Sequence, residues 1–276
     1  MDSSNVKGKE VDLATGMGDE VAQAAQVPDV QSRRVRRRGI YLLPNLFTTG
    51  ALFCGFYAIT ASIAGRYENA AIAIFVAMLL DGLDGRVARM TDTQTSFGAE
   101  YDSLSDMVAF GVAPSLLVYN SLLSTLGKVG WAVAFIYTSC AALRLARFNV
   151  QAASSNKKYF IGLPSPSAAA VVASMMWVIV DTQFQLSRVL AVFAAVITAF
   201  SAVMMVSNVR FHSFKQIDLR GKVPFMVILA AMLLFAAIYL DPPKVFFMIF
   251  LAYAVFTPAL AFKRFVFSRN GYSASK

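Results

Sequence analysis

Apolar residues fall in eight long blocks separated by short polar or proline-bearing breaks, roughly 41–63, 70–89, 99–122, 129–149, 165–181, 187–207, 222–240 and 244–262. A helix rises about 1.5 Å per residue, so about 20 apolar residues cross the hydrocarbon of a bilayer. The pattern therefore predicts an all-α, polytopic transmembrane bundle of about eight spans. Pro44 suits the first turn of span one, and Pro164 and Pro166 the start of span five, where a missing N–H costs nothing. Asp241-Pro242-Pro243 reads as a tight turn between spans seven and eight. Residues 1–39 carry no apolar block and no signal-peptide core, and read as a disordered tail with a basic end.

Composition agrees with this class. Of 276 residues, 57% are hydrophobic and 15% charged, against about 25% charged in soluble domains. The net charge of +9 is distributed by side. With eight spans both termini share one face, and 21 of the 25 Lys and Arg lie there; only Arg66, Lys128, Arg188 and Lys244 lie opposite. By the positive-inside rule the first face is cytoplasmic. Arg33, Arg34, Arg36, Arg37 and Arg38 then read as anchors to anionic lipid rather than a nucleic-acid patch. Cys54 and Cys140 sit inside apolar blocks, as small buried hydrophobes do.

Against this background the acids stand out. Asp81 and Asp84 are three residues apart, Asp102 and Asp106 four, so each pair shares one helix face. Both pairs fall in the cytoplasmic halves of spans two and three, and the short linker around Arg89 to Gly98 makes those spans antiparallel neighbours. Carboxylates in apolar helices are expensive and usually serve a cation, a proton or water. Hard divalent cations take oxygen ligands, and two such ions can grip both the attacking and leaving oxygens at phosphorus. Gly82, Gly85, Ala88 and Gly98 keep the same surface free of side chains, so a flat ligand could approach the backbone. Spacing alone leaves two alternatives: an enzyme of this kind, or an ion path through a transporter.

The pattern D-x2-D-G-x2-A-R-x8-G-x3-D-x3-D, carried by Asp81, Asp84, Gly85, Ala88, Arg89, Gly98, Asp102 and Asp106, matches the signature of the CDP-alcohol phosphatidyltransferase family. YLLPNLFTTG at 41–50, RLARFN at 144–149 and GLPSPSAAA at 162–170 resemble its bacterial phosphatidylserine synthase branch. The resemblance implies a six-helix core over 40–210 and two further helices with a short C-terminus over 211–276. It implies a bacterial inner-membrane enzyme with both termini and the site cytoplasmic. Such an enzyme would displace CMP from CDP-diacylglycerol with L-serine, using divalent metal, Mg²⁺ or Mn²⁺, as two ions. Carried over by position, Asp81, Asp84 and Asp102 are metal ligands, and Asp106 is the general base, also near the second metal. Gly85, Ala88 and Gly98 line the cytidine pocket. Arg89 either contacts phosphate or clamps the linker. Asn45 and Thr48, one turn apart, either face the nucleotide or cap and pack.

Serine brings a carboxylate, which arginine matches best. Arg144 and Arg147, followed by Asn149, are candidates for that carboxylate or for lipid phosphate, against a plain topological role. Ser165 and Ser167 lie at a helix start, where free N–H groups favour an anion. Lys157, Lys158 and His212 read as solvated loop residues, and no G-x-S-x-G elbow is present for serine hydrolysis. The expected partners are CDP-diacylglycerol, L-serine, the phospholipid bilayer and a second copy in a homodimer, with no nucleic acid. The rival readings are another acceptor (glycerol phosphate, inositol phosphate or choline) and, distantly, an ion-coupled transporter.

Overall fold

The computed structural model describes residues 30–91, 95–153, 160–183, 187–208, 210–211 and 225–271. The tail before Val30, Lys157, Lys158 and His212 lie outside the described residues, as do the side chains of the arginine cluster. The chain divides into two compact units, Met1–Leu43 and Pro44–Lys276. The second holds all four motif aspartates and every apolar block after the first few residues of span one.

The helices are α1 (Val30–Ile63), α2 (Tyr67–Met90), α3 (Ser96–Asp106), a π-helical turn (Met107–Val112), α4 (Ala113–Ser121), α5 (Lys128–Ala153), α6 (Ser165–Asp181), α7 (Arg188–Val206), α8 (Phe225–Leu240) and α9 (Pro242–Gly271). Since α3, the π turn and α4 run end to end, the described residues form eight rods at the eight apolar blocks. Three of them, Pro44–Ile63, Lys128–Val150 and Arg188–Val206, are long and apolar enough to cross a membrane by length and composition, and three more are shorter apolar helices. The protein is an all-helical bundle of membrane type. Two-residue strands, β1 (Phe160–Ile161) and β2 (Arg210–Phe211), pair antiparallel in the loops after α5 and α7.

One local feature differs from the sequence expectation. Helix α1 starts at Val30, so Pro44 lies inside it rather than in its first turn. Arginine is a good helix former, which favours helix through 33–38, and the proline forfeits one intrahelical bond. Pro164, by contrast, is the N-cap of α6 with Pro166 in its first turn. Between α8 and α9, the Lys244 N–H donates to Asp241 Oδ1 at 3.3 Å and its ammonium pairs with the same carboxylate. That hydrogen-bonded ammonium holds the Asp241 carboxyl below its ordinary value.

Alanine makes the interfaces. Ala70, Ala71 and Ala77 on α2, Ala168, Ala169 and Ala173 on α6, and Ala191, Ala194 and Ala202 on α7 are fully buried. Small residues let helix backbones approach closely where no hydrophobic drive separates helix from lipid. Helix α6 is the hub, touching α2, α4, α5, α7 and α9. At the end remote from the acids, Tyr67 Oη donates to the Asn120 carbonyl at 3.1 Å and Asn120 Nδ2 to Ser62 Oγ at 3.1 Å. These bonds tie the end of α1, the start of α2 and the end of α4.

Candidate active site

The linker between α2 and α3 is short and capped. Thr95 in extended conformation is the N-cap of α3, its Oγ1 accepting from the Gly98 N–H at 3.0 Å. A Cβ at Gly98 would stand 3.1 Å from that Oγ1 and 3.6 Å from Asn45 Oδ1. Glycine at this position therefore keeps both the cap and the approach of α1 open. Thr49 Oγ1 and Tyr101 Oη lie 2.9 Å apart on the outer side of the same junction.

With α2 and α3 antiparallel, Asp81, Asp102 and Asp106 each offer a carboxylate oxygen within 4.8 Å of the others, and all three are half-buried. Asp84 is separate but adjacent. It is 5% exposed and accepts from Thr48 Oγ1 at 2.7 Å, while lying within electrostatic reach of Asp81 and Asp102. Thr48 joins three helices, because its carbonyl also accepts from Ser105 Oγ on α3 at 3.0 Å. Three acids this close repel one another, and removing them from water adds to the cost. A hard cation relieves both, and half-buried carboxylate oxygens are its preferred donors. The residues present fit a divalent metal.

The surface beside the acids is bare. A Cβ built at Gly82 or Gly85 meets nothing within 4 Å. Ala88 is half-buried one turn further along, and Arg89 is exposed in the last turn of α2. An open strip thus runs from the acids toward the linker.

The basic candidates separate. Arg144 on α5 is half-buried and donates to Ser165 Oγ at 2.5 Å. It lies within electrostatic reach of Asp106 and Asp81. Arg147 donates instead to Asn208 Oδ1 at 2.8 Å. Asn149 accepts from Ser103 Oγ at 3.1 Å and donates to Glu100 Oε2 at 3.4 Å, which fastens α5 to α3. Ser167 is half-buried in the first turn of α6. Arg144 and Ser165 therefore belong to the acid cluster's wall, whereas Arg147 and Asn149 brace neighbouring elements. Glu100, Ser103 and Asn208 have no signature in the sequence, since single polar residues at helix ends carry no spacing signal.

A sequence-family model described as CDP-alcohol phosphatidyltransferase matches residues 41–206. A Helicobacter pylori protein named CDP-diacylglycerol–serine O-phosphatidyltransferase is 35% identical over 233 residues, which cover 84% of this chain and 97% of the relative. A Bacillus subtilis protein of the same name is 35% identical over 174 residues, 63% of this chain and 92% of the relative. One from Mycobacterium tuberculosis is 40% identical over 147 residues, 51% of each chain. The aspartate pattern sits inside the matched segment, and the chain belongs to the CDP-alcohol phosphatidyltransferase family.

Proposed function

We propose that the protein makes phosphatidylserine and CMP from CDP-diacylglycerol and L-serine. The observation that carries the reading is the convergence of Asp81, Asp102 and Asp106 within 4.8 Å, in a family whose Helicobacter, Bacillus and Mycobacterium relatives all bear the serine transferase name. Asp81, Asp84, Asp102 and Asp106 would hold divalent metal, Mg²⁺ or Mn²⁺, as two ions. Bound there, the metal supplies positive charge for the diphosphate and for the leaving phosphate.

The chain's own residues do the rest. The cytidine lies on the bare strip of Gly85 and Ala88 and against Gly98, with Asn45 and Thr48 at its edge and Arg89 toward the phosphates. Arg144, steadied by Ser165, receives the serine carboxylate or a lipid phosphate; Arg147, Asn149 and Ser167 shape that end of the site. Asp106 takes the proton from the serine hydroxyl as its oxygen bonds to the β-phosphorus. The bond from that phosphorus to the bridging oxygen breaks, and CMP departs with the electron pair. Catalysis of this kind is mostly positioning and electrostatics. The acyl chains stay in lipid. Termini and site face the cytoplasm from the bacterial inner membrane, residues 40–210 form the catalytic core, and 211–276 extend it. A homodimer in the bilayer is part of this reading.

The test is a head-group assay with purified protein in detergent micelles, supplied with CDP-diacylglycerol, metal, and serine, glycerol phosphate, inositol phosphate or choline. Phosphatidylserine and CMP should form with serine alone. Turnover with another alcohol instead would reassign the acceptor. No metal-dependent CMP release without a sealed vesicle would favour a carrier.

The bare strip gives a second prediction. Leucine at Gly85 suits the helix and meets no protein atom at its Cβ, so the fold should survive. Overfilling a fitted surface costs about 1–3 kcal/mol, so the KM for CDP-diacylglycerol should rise about tenfold or more. An unchanged KM in Gly85→Leu would move the cytidine elsewhere.

A further inference from the structure

The turn directly after Asp106 is not α-helical. Met107–Val112 form one π-helical turn between α3 and α4. A π turn closes i→i+5 bonds and takes in an extra residue, so it sets the rotation of the helix before it against the helix after it. A change of one residue in register turns a side chain by about 100°. Asp106 is the last residue before this turn.

The surroundings hold the wide turn tightly. Gly55 of α1 abuts it, since a Cβ there would come within 2.8 Å of Ala109 Cα. Gly111 abuts α5, where a Cβ would come within 3.3 Å of Ala141 Cβ. Two hydroxyls then bind carbonyls of the turn. Tyr137 Oη on α5 donates to the Phe110 carbonyl at 3.2 Å. Ser115 Oγ donates to the Val112 carbonyl at 2.9 Å and accepts from Thr138 Oγ1 at 2.8 Å. Tyr137 and Phe110 are both fully buried. Packing alone would be satisfied by phenylalanine at 137; what the phenol adds is a bond to main chain in a dry interior, where such a bond counts most.

We infer that Tyr137 is a positioning residue: by gripping the Phe110 carbonyl it fixes the π turn, and so the angle at which Asp106 presents its carboxylate to Asp81 and Asp102. Helix α4 is anchored through Asn120 to Ser62 on α1, and α3 through Ser105 to Thr48 and Ser103 to Asn149, so a slackened turn gives way at the junction itself, where Asp106 sits. The inference rests on Asp106 as the proton acceptor.

The test compares full-length wild type with Tyr137→Phe, and with 4-aminophenylalanine and 4-methylphenylalanine at position 137. The last two fill nearly the same volume, and only the amine can donate. Tyr137→Phe should lower kcat about tenfold with KM for CDP-diacylglycerol within about twofold, the signature of misaligned chemistry in a folded site. Amide exchange over 107–112 should quicken. The 4-amino residue should restore both readouts, and the 4-methyl residue neither. Should Tyr137→Phe fold poorly, the amino and methyl pair decides by itself. Wild-type kcat in Tyr137→Phe, or equal behaviour of the amino and methyl proteins, overturns the inference. An active Asp106→Asn enzyme would instead sink the role of Asp106; exchange over 107–112 then judges the grip alone, and unchanged exchange overturns it.

Discussion

Asp106→Asn will abolish product formation while CDP-diacylglycerol still binds. The amide keeps the size and one oxygen of the carboxylate, so the packing around α3 and the π turn is retained. What disappears, under the proposed role, is the proton acceptor. General base catalysis contributes about 10²–10⁴-fold, and that loss should appear in kcat rather than in substrate affinity. CMP release measures the first, and retention of labelled CDP-diacylglycerol by the purified variant measures the second. Near-normal turnover would remove Asp106 from the base role. Loss of binding in parallel with turnover would instead make it chiefly a ligand.

The second large effect concerns Asp102. It is one of three carboxylates within 4.8 Å, and Asp81 and Asp84 both act on it electrostatically. A unit and a double charge about 3 Å apart attract by about 2.8 kcal/mol even at the permittivity of water, about a hundredfold in affinity. Asp102→Asn should therefore raise the metal concentration for half-maximal activity by about that factor. The same substitution removes repulsion among the acids. In the absence of metal, Asp102→Asn should melt at a higher temperature than wild type, whereas added Mg²⁺ or Mn²⁺ should stabilise wild type more. Differential scanning with and without chelator reads both signs. A variant less stable than wild type in chelator, and equally stabilised by metal, would show that no cation is held there.

Much of this was legible in the chain. The eight rods follow from block length, and the meeting of acids from the second and third spans follows from the short linker between them. The three- and four-residue spacings put the acids on facing surfaces. The finer division was not legible. Asp84 stands apart from the other three because its partner, Thr48, arrives from a helix 36 positions earlier. Arg147 and Arg144 look alike in sequence, yet one finds Asn208 and the other the acid wall. The π turn has no signature, since MVAFGV at 107–112 reads as ordinary apolar helix. It exists because neighbours from α1 and α5 close around it, and such tertiary choices leave no local pattern. The start of α1 at Val30 has the opposite cause: arginines that mark the membrane edge by charge also favour helix.

The alanine-lined interfaces around α6 have a consequence for recognition. Alanine has no rotamer to lose, so the scaffold behind the acids loses no side-chain freedom there when a substrate docks. Association is then charged mainly for the guest's own immobilisation, and the pocket selects by fit rather than by moulding itself to each alcohol. Altering the preferred head group should accordingly require exchanging a wall residue, because loosening the frame would sacrifice rate for every alcohol alike.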